Sequence, residues 1–406
     1  MEFQSHVLPN GIKLIHIQTV SPVAHCGFFI NTGTRDENNN EHGIAHFIEH
    51  LFFKGTTHRK AFHVLSRLED VGGELNAYTT KEDTCVHASF LKEYYSRTLE
   101  LFSDIIFNST FPEKAIISER DVIIDEINSY KDSPSESIFD EFDEYFYSGH
   151  PLSQNILGKL KYLKKIGRDD IFNFISRTYN TDQMVLASVG DITFSRIVSL
   201  FERYFKDIPL NPRTLNRQPF TTYTPFDVAK HRSTFQIHSI LGCPGFDMKD
   251  PRRMGLHLLS NILAGPGMIS RLNLALRERN GYSYNIESSF TPYADTGLFN
   301  IYFSTEKNSF GKCLDIIHKE IGILCNKPLG SIQLLKAKKQ LVGQIAISYE
   351  SNENQMLSIG KSYLAYDHVD TIEEIYSKIE AITAMELTDI ANEILNIDRF
   401  SILTYK

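Results

Sequence analysis

One short stretch, from Gly43 to Thr56, most constrains what this chain can fold into. Its apolar residues recur at helical spacing, and glycines bound it at Gly43 and Gly55. His46 and His50 lie four residues apart within it, so on a helix their rings project from one face, one turn apart. Two such rings can converge on one metal ion. The stretch therefore predicts a short helix that carries half of a metal site.

The residue next to the second histidine makes the pattern more specific. Glu49 completes the order His-x-x-Glu-His, which is the inverse of the commoner His-Glu-x-x-His and a signature of zinc hydrolases. From this position Glu49 can reach a water at the metal without binding the metal itself, as a general base must. His42 would share the helical stripe, but it would lie ~12 Å from His50 along the axis, too far for both to bind one ion. We therefore interpret His42 as a residue at the start of the helix.

Bulk composition excludes several classes of partner. The 406 residues are long for one domain and sufficient for two. A net charge of −8 argues against nucleic acid, and no apolar run approaches the roughly 18 residues of a membrane span. The first residues lack the basic and apolar regions of a secretory signal, which predicts a cytoplasmic protein. Its five widely spaced cysteines are then expected to be buried free thiols.

The order of elements along the chain appears twice. In the first half a strand from Val23 to Ile30 precedes the motif helix, and paired strands and a long helical series follow. In the second half a strand from Ser233 to Ile240 leads into helices, paired strands and more helices, without the motif. The repeat predicts an α+β fold of two tandem homologous domains, each an antiparallel-rich mixed sheet packed with helices. The predicted bounds are 1–208 for the zinc-binding domain, 209–225 for a proline-rich linker and 226–406 for the second domain.

The two histidines leave a hydrolytic zinc site one protein ligand short. A carboxylate is the expected third ligand, and the helical run from residue 117 to 128 offers Glu119, Asp125 and Glu126. Glu119 and Glu126 share a helix face, but spacing alone does not choose among the three.

Three segments together resemble a known family. They are Gly43 to Thr56, Ser118 to Pro134 and the tripeptide at 150–152, and they are similar to the pitrilysin family, which includes insulin-degrading enzyme and the mitochondrial processing peptidases. The chain would be a half-length member. The resemblance implies a zinc metalloendopeptidase with one Zn²⁺ per chain, which hydrolyses peptides or unfolded segments.

The resemblance also implies roles for single residues of the first half. Glu126 would be the third zinc ligand, and Glu119 would be a supporting acidic residue beside the site. Asn76 and Ala77 would lie on an edge strand next to the bound peptide, where an extended substrate can add main-chain hydrogen bonds.

In the second half, Arg277 and Tyr284 match the family's Arg and Tyr pair, which would donate to the substrate carbonyl and its developing oxyanion. Family members of this length form dimers that enclose a chamber, which implies a homodimer here, with a heterodimer as the other arrangement. The rival function is a non-catalytic peptide-binding or scaffold subunit of a processing-peptidase-like complex. Such subunits typically lose ligands or the base, whereas this chain keeps both. A further alternative is an enzyme that needs a different partner chain.

Overall fold

A computed structural model describes residues 3–406. The strands in chain order are β1 (Gln4–Val7), β2 (Lys13–Gln18), β3 (Val23–Ile30), β4 (Glu74–Thr79), β5 (Thr84–Leu91), β6 (Met184–Gly190), β7 (Asp227–Lys230), β8 (Ile237–Gly245), β9 (Ser283–Pro292), β10 (Gly297–Thr305) and β11 (Ser401–Tyr405).

The α-helices in chain order are α1 (Ile44–Leu51), α2 (Ala61–Glu69), α3 (Tyr95–Phe107), α4 (Glu113–Lys131), α5 (Pro134–Phe146), α6 (Leu160–Leu163), α7 (Arg168–Thr178), α8 (Phe194–Phe205), α9 (Arg253–Ala264), α10 (Phe310–Asn326), α11 (Ser331–Tyr349), α12 (Asn352–Tyr366), α13 (Ile372–Ala381) and α14 (Ala384–Ile394). Short 3-10 turns span Thr34–Asp36, Lys92–Tyr94, Pro151–Ser153, Thr181–Gln183, Lys307–Ser309 and Ile397–Arg399, and a π-helical turn spans Asn273–Glu278.

Two sheets with the same topology organise these elements. The first sheet has six strands in the order β1-β2-β6-β3-β5-β4, and the second has five in the order β7-β11-β8-β10-β9. When β1 is left out, the two orders correspond strand by strand, from β2 and β7 at one edge to β4 and β9 at the other. The pairing directions also agree. β2 runs parallel to β6, as β7 does to β11, and the remaining pairs are antiparallel. The predicted fold class, two tandem homologous α+β domains, is confirmed.

Contacts divide the chain into two compact units that interleave in sequence. Unit 1 contains the residues up to Asn128, Gln154–Gln218 and Ile347–Thr371. Unit 2 contains Ser129–Ser153, Pro219–Ala346 and Ile372–Lys406. Each unit therefore includes one helix from the far half of the sequence. The bounds 1–208 and 226–406 stay a prediction about the duplicated halves, and they differ from this division by contacts.

In unit 1 the helix from the far half is α12, which packs on β3 and β6. Its Met356 and Ile359 join a buried cluster with Phe29 of β3 and Val185 of β6. Gly360 faces the ring of Phe29 so closely that an added Cβ would lie 2.1 Å from Cε2 of that ring. In unit 2 the corresponding element is α5, which packs on β8 and β11.

Some predicted boundaries are wrong, and the differences have local causes. The strand predicted from Ser233 to Ile240 begins only at Ile237, and the chain before it forms β7 (Asp227–Lys230), where no strand was expected. β7 pairs in parallel with β11, which lies at the C-terminal end of the same half of the chain. A parallel partner so distant in sequence leaves no hairpin turn beside β7 by which the strand could be recognised. The strand predicted from Val23 to Ile30 is confirmed as β3.

The five cysteines are free thiols. Four of them are buried, and Cys325 is partly exposed. The expectation of free thiols is therefore confirmed, and that of burial holds for four of the five.

Candidate metal centre

The helix that carries the motif presents two faces with different chemistry. Ile44, Phe47, Ile48 and Leu51 are fully buried and join the core of unit 1, at the spacing of a single helical stripe. The motif residues lie on the rest of the surface: the side chain of His46 is 9% exposed and that of His50 is 20% exposed. Packing of the apolar stripe thus fixes the direction in which the two rings point.

The helix begins at Ile44, and Glu37 explains this start. The two carboxyl oxygens of Glu37 accept hydrogen bonds from the backbone N–H groups of Gly43 and Ala45, at 3.0 Å each. Acidic groups at a helix N-terminus satisfy free N–H groups and interact favourably with the helix dipole. Glu37 is buried, and burial raises the pKa of its carboxyl well above the ordinary value, while the two hydrogen bonds lower it.

Sequence reasoning missed Glu37, because it reaches the helix from a preceding loop and does not occupy a regular capping position.

Gly43, which precedes the helix, is required for its backbone conformation and for a close approach to another segment. Its φ is +95°, a left-handed conformation, and an added Cβ would lie 2.8 Å from the Cα of Gly158.

Two histidines of α1 and one glutamate of α4 form a potential metal-binding group. The ligand atoms of His46, His50 and Glu126 all lie within 4.8 Å of one another. Oε2 of Glu126 is 3.8 Å from Nε2 of His46 and 3.6 Å from Nε2 of His50. Tetrahedral zinc with bonds of about 2.0–2.2 Å places its ligand atoms roughly 3.3–3.6 Å apart. The donor set therefore fits a zinc ion with three protein ligands and an open fourth position.

Of the three carboxylates that spacing left open, Glu126 alone belongs to this group. Asp125 is exposed on α4. Glu119 is buried, with Oε2 at 3.5 Å from Nδ1 of His50, the ring nitrogen opposite the one that faces Glu126. In metal sites, a carboxylate at this position orients a histidine ligand by contacting the ring nitrogen that does not bind the metal.

The electrostatics of the group favour metal binding and proton transfer. Burial, together with the neighbouring His50, lowers the pKa of His46 to about 3, so His46 is neutral near pH 7 and keeps a lone pair for a metal. Burial raises the pKa of the Glu49 carboxyl; the side chain of Thr79 and then His50 lower it, and the carboxylate of Glu126 raises it. A carboxyl with a raised pKa holds a proton more readily, as a general base must after accepting one.

His42 lies before the helix, where its ring stacks on Tyr162 with the centroids 4.7 Å apart. It is outside the metal-binding group, in agreement with its interpretation as a residue at the start of the helix.

Asn76 and Ala77 lie on β4, the last strand of the first sheet. They pair with His87 and Val86 of β5, the strand next to β4 in the sheet order. The motif helix α1 packs against β4. The motif helix thus lies next to a strand whose outer edge pairs with no strand in the part of the chain that the structure describes.

Arg277 and Tyr284 lie in unit 2 and line one cavity of about 500 Å³. Arg277 belongs to the π-helical turn, and Tyr284 follows at the start of β9 with 68% of its surface exposed. Other polar groups in the lining come from Ser135, Asn273 and Glu287. The cavity therefore offers a guanidinium and a phenol to the same space.

Among the described residues, no helix combines the length and apolar character needed to cross a membrane.

Comparisons with known proteins give a consistent relationship. Residues 14–160 match the family model described as Insulinase (Peptidase family M16), and residues 165–341 match the model described as Peptidase M16 inactive domain. An uncharacterized zinc protease of Rickettsia felis is 32% identical over 97% of this chain and 95% of its own length. The uncharacterized zinc protease YmxG of Bacillus subtilis is 30% identical over 96% and 95%. The mitochondrial-processing peptidase subunit beta of Caenorhabditis elegans is 28% identical over 95% of this chain and 86% of its own.

Solved structures agree with the fold. A peptidase M16 inactive domain from Pseudomonas fluorescens superposes with a TM-score of 0.93 and a protease from Helicobacter pylori with 0.92, each at 20% identity over 100% of this chain. The aligned regions make up 98% of the Pseudomonas fluorescens chain and 99% of the Helicobacter pylori chain. With two family models matched in order along the sequence and zinc protease relatives aligned over nearly its whole length, the chain belongs to peptidase family M16, the insulinase family.

Proposed function

We propose that this protein is a zinc-dependent endopeptidase that hydrolyses peptides or unfolded segments. The observation that carries the proposal is the group formed by His46, His50 and Glu126, with the Glu49 carboxyl next to His50 on the same helix. The names of the relatives, zinc proteases and a processing-peptidase subunit, support it. A scaffold role is less well supported, because a scaffold has no need for a complete ligand set and an adjacent base.

Four residues of the chain would have distinct roles in this reaction. His46, His50 and Glu126 hold the ion, which when bound supplies a Lewis acid and lowers the pKa of water. Glu49 accepts the proton of the attacking water on a carboxylate oxygen and passes it to the leaving amine nitrogen.

Substrate binding is proposed at two places. An extended peptide adds to the open edge of β4 at Asn76 and Ala77 through main-chain hydrogen bonds, which demand little of its sequence. Arg277 and Tyr284 donate hydrogen bonds to the scissile carbonyl as negative charge develops on its oxygen. The protein acts as a homodimer with a closed chamber, and each chain's Arg277 and Tyr284 serve the partner's metal site. The cytoplasmic location stays a prediction.

Cleavage of a quenched, unstructured peptide tests the activity. The wild type is expected to cleave it, to lose activity with a chelator and to recover with Zn²⁺. Glu49→Gln should keep its zinc and lose cleavage. Glu69→Gln, an exposed glutamate on α2, is the matched control and should behave as wild type. Zinc-loaded wild type that cleaves no peptide would contradict the proposal.

Mixing two inactive variants tests the dimer. One partner carries Glu49→Gln, and the other carries Arg277→Ala with Tyr284→Phe. If the Arg and Tyr pair serves the partner's metal site, mixed dimers contain one complete site, and random mixing returns about a quarter of wild-type activity. No recovery after verified subunit exchange would contradict this arrangement.

A further inference from the structure

Lys54 is a charged residue of the motif stretch to which the mechanism assigns no part. It follows α1 by one turn, and its Nζ lies 2.8 Å from Oε1 of Glu119. The other oxygen of the same carboxylate, Oε2, lies 3.5 Å from Nδ1 of His50. One carboxylate thus faces a lysine with one oxygen and a proposed zinc ligand with the other.

The backbone around Lys54 is held in place. Its N–H donates to the carbonyl of Leu51 at 3.1 Å, and the next carbonyl, that of Gly55, accepts from the N–H of Thr110 at 3.1 Å. The ammonium group therefore starts from a fixed main chain and has only its own side-chain rotations to restrict. The main entropic cost of holding Glu119 from this position is therefore the ordering of the lysine side chain itself.

Burial makes the lysine important to Glu119. The Glu119 side chain is only 11% exposed, while that of Lys54 is 33% exposed. A buried carboxylate that loses its ion-pair partner is strongly disfavoured, and it can respond by turning away from its position. The adjacent Arg120 does not replace the lysine, because its guanidinium donates to the carbonyls of Leu163 and Ile166.

We propose that Lys54 is a positioning residue of the metal centre: it anchors Glu119, and Glu119 in turn holds the ring of His50 with Nε2 directed towards Glu126. This inference rests on the proposed zinc site but does not require peptide cleavage. Partners that orient a histidine ligand from its second nitrogen typically change metal affinity by about 10–100-fold. Lys54 acts through one such partner, so its effect belongs at the lower end of that range.

The zinc dissociation constant, measured by competition with a chelator of known affinity, tests the proposal. Lys54→Met keeps most of the length of the side chain and removes its charge, and it should weaken zinc binding about tenfold. Lys54→Arg should recover part of this loss, because it restores a cation near Glu119. Lys92→Met, which removes a lysine paired with Asp191 elsewhere in unit 1, is the matched control and should leave zinc affinity unchanged.

A double variant separates positioning from a general charge effect. If Lys54 acts through Glu119, then Lys54→Met should weaken binding no further in a Glu119→Gln background. Thermal unfolding of each metal-free variant checks that the fold is intact. Wild-type affinity in Lys54→Met, or full additivity with Glu119→Gln, would overturn the proposal. Zinc binding without any peptide cleavage would instead overturn the proposed function and leave this inference standing.

Discussion

The carboxylate of Glu126 lies 3.6 Å from Nε2 of His50, although the two residues belong to helices far apart in the sequence. His46 completes the group from the preceding turn of α1. The approach of Glu126 on α4 to the two histidines of α1 is therefore what turns a two-histidine motif into a group of three potential metal ligands.

Removal of the carboxylate of Glu126 should abolish tight zinc binding. Glu126→Gln is expected to weaken zinc affinity by about a hundredfold or more, since groups that merely support a ligand already contribute about 10–100-fold. Asp125→Asn alters the neighbouring, exposed carboxylate and is the matched control. Metal content after dialysis, measured on both variants, checks the prediction. Loss of zinc in Asp125→Asn with retention in Glu126→Gln would contradict the assignment.

The start of the motif helix should depend on Glu37. Glu37→Gln leaves one acceptor oxygen where the carboxyl offers two, so one of the N–H groups of Gly43 and Ala45 loses its partner in a buried site. The free energy of unfolding should fall by about 1–3 kcal/mol in urea denaturation. Glu69→Gln on the exposed face of α2 should change it little. Equal stability of the two variants would show that the cap contributes nothing.

The packing of α12 on the first sheet should tolerate no additional carbon at Gly360. Gly360→Ala would bring a Cβ to 2.1 Å from Cε2 of Phe29, and we expect a loss of about 1–3 kcal/mol in stability from overpacking. Gly343→Ala in α11 is the control, because an added Cβ there meets nothing within 4 Å. That change should stabilise the helix by roughly 0.5–1 kcal/mol. Thermal or urea unfolding compares the two.

A buried histidine should make stability depend on pH. Nε2 of His16 lies 3.0 Å from the carbonyl oxygen of Ile192, which can only accept, so Nε2 carries the hydrogen and Nδ1 accepts from Ser188 at 3.1 Å. Burial lowers the pKa of His16 below the ordinary value of 6.5. The folded state thus favours the neutral ring, and this contribution is present above pH 6.5 and is lost as the pH falls towards the lower folded-state pKa.

Urea unfolding from pH 7.5 down to pH 5.5 measures this effect. The wild type should lose more stability over that interval than His16→Gln, which has no ring to protonate. Parallel pH profiles for the two proteins would contradict the prediction.

The sequence alone indicated the part of the proposed metal site that lies within one helix, but not the residue that a distant helix contributes. His46, Glu49 and His50 are recognisable because their chemistry depends on spacing within one helix. The proposed third ligand depends on where α4 lies relative to α1, and helical spacing left Glu119, Asp125 and Glu126 equivalent. Only the resemblance to a family selected Glu126. The contacts of Glu37, and the role proposed for Lys54, had no signal in the sequence because both residues lie in loops, and loop geometry leaves no periodic pattern.

The fold shows the same limit. The strand predicted from Val23 to Ile30 agrees with β3, and the repeated order of elements predicted two similar domains. That α5 and α12 pack on sheets of the opposite half of the sequence was not predicted, because an amphipathic helix shows that it has an apolar face but not which sheet that face covers.

The most direct test of the account is a crystal structure of Glu49→Gln with zinc, using anomalous scattering at the zinc absorption edge. The account predicts one peak per chain, bonded to His46, His50 and Glu126 at about 2.0–2.2 Å. A zinc ion bonded to Glu119 in place of Glu126, or the absence of a peak in fully zinc-loaded protein, would contradict it.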